Sequence, residues 1–326
     1  MSPTPSSGAT YTNPVYPHYF ADPFVLEHEG AYYAYGTSGQ PLQQGRAFEV
    51  LRSPDLLHWT SLGGALEPLA DESAQDYWAP EVAFDGTQFY MYYSAGTGDQ
   101  GHQLRVALAP RPEGPFRDAG VVLTPDDPFT IDASPFQDDD GQWYLYYARD
   151  YLEGDRVGTA LAVDRLSSMT RLAGEPRPVL RATADWQIFR RNREMYGALH
   201  DWYTLEGPFV VKRGGRYYCF YSGGAWEEPN YGVSYAVADH PLGPWTEPAA
   251  DGPTLLQSVP GHVVGPGHNS LVRGPDGRDY LVYHAWDAGK TARRMCIDAV
   301  EWTPDGPQVR GPTWTPQPAP AVPGRP

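Results

Sequence analysis

Apolar and polar residues alternate along most of the chain in short runs, and the same order of runs recurs five times. Each copy starts with a short apolar segment, passes a glycine-containing turn, and continues into a segment dominated by aromatics. The first reads Asp22-Pro23-Phe24-Val25, a turn at Glu29-Gly30, then residues 31–38. The second reads Ala79-Pro80-Glu81-Val82, a turn at Asp85-Gly86, then 87–96, and the third Ser134-Pro135-Phe136, Asp140-Gly141, then 142–150. The fourth is Gly207-Pro208-Phe209-Val210, Gly214-Gly215, then 216–224, and the fifth Asn269-Ser270-Leu271-Val272, Asp276-Gly277, then 278–287. A period of two predicts strands, because successive side chains point to opposite faces. Asp-Gly and Gly-Gly between such runs predict hairpins, whose turns need positive φ. A third alternating segment follows each aromatic one, at 48–53, 104–109, 158–163, 232–238 and 295–302. Each copy therefore predicts an antiparallel sheet of three or four strands.

Five sheets in one chain predict an all-β fold, a five-bladed β-propeller, in which radial repetition leaves only short protected edges. The turn glycines lie 56, 55, 74 and 62 residues apart, wider than the ~40–45 of a WD40 blade. A β-sandwich built from repeated hairpins is the alternative, and five matched copies favour the propeller. The expected organisation is a flexible segment over 1–13, one propeller domain over 14–315, and a Pro-rich tail over 316–326 that is disordered or forms an extended strap.

Composition narrows the function. Aromatics reach 13 % and Gly and Pro number 35 and 34, consistent with many strands and turns. The net charge of −16 comes without any basic stripe, which argues against nucleic acid and anionic membranes as partners; a neutral sugar polymer is compatible with it. The two cysteines, Cys219 and Cys296, make no disulfide framework, and no Cys/His cluster has zinc spacing. Nothing approaches the ~18 consecutive apolar residues of a membrane span. The N-terminus lacks the basic and apolar regions of a signal peptide. Cytoplasmic is the resulting expectation; a secreted chain already freed of its signal reads the same.

Carboxylates at the start of otherwise apolar strands depart from the pattern. Three repeats carry one, Asp22, Asp132 and Glu206, a fourth carries His268, and the second carries Trp78. Asp before Pro often only starts a turn, and most of the 40 acidic residues must be solvated surface. The equivalence of position across repeats singles these out. Two carboxyl groups across a channel are the minimum for glycosidic hydrolysis: one protonates the leaving oxygen, the other activates water or attacks. A third nearby would raise the acid's pKa by like-charge repulsion.

Ala-Asp-Pro-Phe, Trp-Ala-Pro-Glu, Ile-Asp-Ala-Ser-Pro-Phe, Glu-Gly-Pro-Phe and Gly-His-Asn-Ser occur in that order, one per repeat. With them the sequence closely resembles glycoside hydrolase family 43, from about Asp22 to Trp314. The resemblance implies an inverting five-bladed propeller with Asp22 as general base, Glu206 as general acid and Asp132 as pKa modulator and positioner of the acid. It implies a sugar-facing role for Trp78, which a core position would equally suit, and for Arg293, with Arg294 as the alternative inward residue. His268 resembles a channel histidine at or near an ion, so a structural Ca²⁺ in the central channel is one expectation and a metal-free plug histidine the other; no cofactor is required for the chemistry. The implied partner is an arabinose- or xylose-containing oligosaccharide. An exo-acting α-L-arabinofuranosidase is the first expectation, a β-xylosidase or endo-arabinanase the next, and a non-catalytic sugar-binding propeller the alternative of another class. Residues 184–204, rich in aromatics and arginine, are expected to wall one side of the funnel.

Overall fold

The computed structural model describes residues 9–39, 45–69 and 74–320. Each repeat is an antiparallel sheet whose strands follow in chain order. The first blade is Ala21–His28, Ala31–Thr37, Ala47–Ser53 and Thr60–Leu66; the second is Asp76–Phe84, Phe89–Thr97, Gln100–Ala109 and Arg117–Val122. The third holds Thr130–Gln137, Trp143–Tyr151, Gly158–Ser168 and Arg177–Leu180. The fourth holds Ala198–Arg213, Arg216–Gly223 and Gly232–Ala238, edged by isolated bridges at Thr246 and Leu256. The fifth is Val263–Arg273, Asp279–Asp287, Arg293–Thr303 and Gly306–Val309.

The buried apolar residues fall into five clusters, one at each junction between successive blades, including the junction of the fifth with the first. Strand alternation builds them. In Trp143–Tyr151, Tyr144, Tyr146 and Ala148 pack toward the fourth blade, while Leu145 and Tyr147 pack toward the second. Each large side chain so buried contributes about 1.5–3 kcal/mol. A sandwich would pool one core between two sheets; this closed ring of five interfaces is a propeller.

Two features depart from five independent sheets. Gly158 and Thr159 pair in parallel with Tyr203 and Thr204, which stitches the third blade to the fourth. A Cβ on Gly158 would sit 2.0 Å from the Tyr203 carbonyl oxygen, so glycine is required there. The termini also correct the expected boundaries. Thr10–Tyr11 pairs with Gln317–Pro318, and Asn13 bonds to Ile297. The last residues of the segment expected to be flexible are thus part of the folded body, and the first residues of the tail form the strap that was one of the two expectations for it. Residues 1–8 and 321–326 lie outside the described residues.

Candidate active site

Every innermost strand carries the same one-residue bulge. Three residues of the strand span two of its partner, between Ala21 and Phe24, Trp78 and Glu81, Ile131 and Ser134, Glu206 and Phe209, and Gly267 and Ser270. The second residue of each bulge is left-handed: Asp22 (φ 51°), Ala79 (47°), Asp132 (60°), Gly207 (56°) and His268 (47°). A bulge breaks the alternation, so neighbouring positions can face one space. Asp22, Asp132 and His268 are therefore true equivalents. Glu206 and Trp78 occupy the preceding position, in keeping with the repeat alignment of Gly207 and Ala79 with Asp22.

One cavity of about 920 Å³ gathers Asp22, Trp78, Asp132, Glu206, His268 and Arg293, within the usual size of small-ligand sites. Asp22 and Asp132 are buried and Glu206 is partly buried. Thr37 donates to Asp22 Oδ2 at 2.6 Å, and Arg293 Nη1 donates to Oδ1 at 3.2 Å. His268 Nδ1 lies 3.4 Å from Asp22 and 3.9 Å from Asp132, bridging the two. The Gly207 N–H donates to Asp132 Oδ2 at 2.9 Å, and the buried Tyr231 hydroxyl donates to Glu206 Oε1 at 2.6 Å.

These contacts separate the three acids electrically. Burial works to raise the Asp22 pKa, but His268, Arg293 and His284 outweigh it and hold Asp22 well below the usual carboxylate range. Burial and the Asp22 charge push Asp132 up to about 8, against the Gly207 N–H and Arg293. Burial and Asp132 push Glu206 up to about 7, against His268 and Tyr231. Near neutral pH the site thus holds an ionised Asp22 beside a Glu206–Asp132 pair that retains a proton.

The remaining residues fall into place around them. Arg293 is the inward arginine: its guanidinium donates to Tyr19 at 2.7 Å and lies 4.3 Å over the Trp226 ring. It reaches Asp22 rather than Asp132. Arg294 turns away to Asp287 and the Pro17 carbonyl. Trp78 lines the cavity, and its ring stacks 3.6 Å from the buried His102. Ca²⁺ takes roughly 6–8 oxygen ligands. Among the described residues no group of three His, Cys, Asp or Glu side chains is arranged to hold a metal ion. His268 spends Nδ1 between two carboxylates, so these side chains do not fit a protein-built Ca²⁺ cage. Thr37, Tyr231, Tyr19, His284 and Trp226 were not anticipated. Thr37 closes an aromatic strand with a polar residue and His284 interrupts an apolar one, which are usable signals; nothing separates Tyr231 from the other 22 tyrosines.

Comparison with known proteins decides the family. The model for glycosyl hydrolases family 43 matches residues 11–307. The chain belongs to this family. It is 31 % identical to a β-D-galactofuranosidase, xynD, of Aspergillus niger, over 93 % of this chain and 85 % of that one. It is 26 % identical to an extracellular exo-α-(1→5)-L-arabinofuranosidase of Streptomyces avermitilis, over 92 % of this chain and 63 % of that one. A crystal structure described as a thermostable family-43 glycoside hydrolase superposes with a TM-score of 0.83 and 35 % identity, covering 96 % of this chain and 99 % of that one. As a family 43 member the protein is a glycoside hydrolase on a five-bladed propeller. Among the described residues no helix is long and apolar enough to cross a membrane.

Proposed function

We propose that this family 43 enzyme removes α-L-arabinofuranosyl units from the ends of arabinose-containing saccharides with inversion of configuration. The observation that carries the reading is that one cavity holds three carboxyl groups in three different protonation environments. Asp22, kept ionised, suits the base that activates water. Glu206 suits the acid: Tyr231 engages one oxygen, which leaves the other to carry the proton to the leaving oxygen. Asp132 raises the Glu206 pKa by its nearness and fixes the backbone beside it through the Gly207 N–H. Arg293, held on Trp226 and Tyr19, supports Asp22 and offers donors to sugar hydroxyls.

The furanose preference rests on two relatives that are both named for furanosidase activity. α-L-Arabinofuranose and β-D-galactofuranose share a ring configuration and differ by one exocyclic hydroxymethyl group. A β-D-galactofuranoside is therefore the second reading, favoured by the Aspergillus relative. One of these relatives is named as extracellular, so the expectation of a cytoplasmic location is tested by assaying medium against lysate in the source organism.

Aryl α-L-arabinofuranoside, β-D-galactofuranoside and β-xyloside, assayed side by side, rank the sugar. NMR of the first-formed product should show inversion; retention would contradict the water-activating role of Asp22. Glu206→Ala should lose about 10²–10⁴-fold on natural saccharides and much less on substrates with acidic leaving groups, which need little protonation. Equal losses on both would refute the general-acid role. A wild type and Glu206→Gln equally inert on every aryl glycoside, yet both binding oligosaccharide, would make the protein a sugar-binding propeller.

A further inference from the structure

The cavity has a wall that the catalytic machinery does not use. Between the third and fourth blades the chain rises into a hairpin, Ile188–Met195 returning as the start of Ala198–Arg213. Phe189 and Arg190 on this hairpin line the cavity, and so do Gly98 and Asp99 at the turn of the second blade. In the ring, the whole third blade lies between these two structures. The hairpin crosses it. The Tyr196 hydroxyl at the hairpin tip donates to Asp150 Oδ2 of the third blade at 2.8 Å. Arg193 then reaches the second blade and donates to Asp99 Oδ2 at 2.7 Å.

The two sides of this contact are unequal. Arg193 keeps only 14 % of its side chain exposed, with its guanidinium 4.9 Å from the Phe189 ring and 5.5 Å from Trp202, whereas Asp99 is 67 % exposed. The arginine is therefore pre-positioned by the hairpin, and Asp99 is the detachable half. The hairpin is itself stiff: Asp201 accepts from Arg191 at 2.8 Å and from the Asn192 N–H at 3.0 Å. The Asp99 turn is anchored as well, since the Gly98 N–H donates to Asp76 at 2.7 Å and the Gly98 carbonyl meets His102 at 2.9 Å.

We propose that the Arg193–Asp99 contact is a clasp that closes the cavity above the third blade, so that a saccharide can enter only by a free end. The clasp is a specificity device and takes no part in bond cleavage. It rests on the reading of this cavity as the furanosidase site and adds which residues impose end-wise action. Opening it leaves the carboxylates, Arg293 and Trp78 untouched, but gives a chain a second way out.

The test compares wild type, Asp99→Ala and Arg193→Ala. Asp99→Ala is the decisive variant because the Asp99 side chain is 67 % exposed; Arg193→Ala also removes the stacking on Phe189 and Trp202. On linear α-(1→5)-arabinan the wild type should release monosaccharide with little fall in viscosity. Asp99→Ala should show a severalfold larger viscosity drop per reducing end formed, with turnover of the aryl glycoside unchanged. An unchanged ratio in Asp99→Ala, or a wild type that already thins the polymer, overturns the clasp. Inactivity of wild type on every aryl glycoside would instead sink the catalytic reading, and calorimetry then reads the clasp alone. Wild type should bind arabino-oligosaccharide with a free non-reducing end and not its end-capped form, while Asp99→Ala binds both. Equal binding of the two forms by wild type also overturns the proposal.

Discussion

A proton donor must hold its proton at working pH and release it in the transition state, and at Glu206 these demands meet in one hydrogen bond. Burial and Asp132 hold the proton on; the Tyr231 hydroxyl, 2.6 Å from Oε1, favours the carboxylate that forms when the proton leaves. The activity–pH curve follows from the signs. The acid works only when protonated, so activity should fall as pH rises through about 7. The base works only when ionised, and Asp22 stays ionised below the ordinary carboxylate range, so the acid-side plateau should be broad. Tyr231→Phe removes the donor that stabilises the carboxylate. Its alkaline limb should move upward, by on the order of one pH unit. Its rate should drop about tenfold on poor leaving groups, the worth of a charge-assisted hydrogen bond, and less on activated aryl glycosides. A variant that merely loosened packing would lower activity without moving the limb, so kcat/KM against pH separates the two.

The bulge is the element that turns five ordinary strands into a site, and it comes with its own bonding scheme. In three blades the residue opposite the bulge accepts the N–H of the left-handed residue in the next blade: Thr37 from Ala79 at 2.9 Å, Ser222 from His268 at 2.7 Å, His284 from Asp22 at 3.1 Å. Ser94, opposite Trp78 in the second blade, makes no such bond. In the third blade that position is Ala148, opposite Ile131, which has nothing to offer, and Asp132 itself accepts from Gly207 instead. The left-handed backbone is thus a property of the architecture, shared by Ala79, which lies outside the cavity lining, and not a sign of catalysis. Gly207 is the one bulge centre without a side chain. A Cβ there would approach the His268 ring at 3.2 Å. Gly207→Ala should cost about 1–2 kcal/mol, the usual penalty for a left-handed non-glycine residue, read as a lower denaturation midpoint. It should also cut activity more than stability, because it displaces His268 and the N–H held by Asp132. The repeated strands, their turns and the polar residues at four of the bulges, Asp22, Asp132, Glu206 and His268, were legible in the sequence, since alternation and Asp-Gly turns are local. The alignment of Asp132 with Asp22 was not, and the repeats set Ser134 there instead, because a bulge is set by pairing with a strand over ten residues away. Arg293 and Arg294 could not be told apart for the same reason: the inward choice depends on register, Arg293 opposite Trp286.

At the scale of the molecule, a propeller is only as stable as its closure, because each blade buries its faces against two neighbours and an open ring exposes two of them at once. Among the described residues the first blade takes no strand from the C-terminal end; the N-terminal segment is laid along the third strand of the fifth blade. The Val15 N–H donates to Met295 and the Phe20 N–H to Arg293, both at 2.9 Å. Asn13 does the work of a strand residue with its side chain: its amide donates to the Ile297 carbonyl at 2.9 Å and to Thr313 at 3.1 Å, and its Oδ1 accepts the Ile297 N–H at 2.9 Å. The same segment delivers Tyr19 to Arg293, so closure and catalysis share a strap. Asn13→Ala would leave the N–H of the fully buried Ile297 without a partner, while its carbonyl keeps the Tyr11 hydroxyl at 3.0 Å, at a cost of about 1–3 kcal/mol unless water enters. Because the ring cooperates, the loss should appear as a lower Tm for the whole domain, by several degrees, and not as fraying of one end. Asn13→Asp keeps the acceptor for the Ile297 N–H and loses the donor, so it should fall between wild type and Asn13→Ala. The Tm order wild type, Asp, Ala, read by calorimetry with a single transition throughout, is the expected result. Equal Tm values for wild type and Asn13→Ala would mean that the apolar cluster between the fifth and first blades closes the ring unaided.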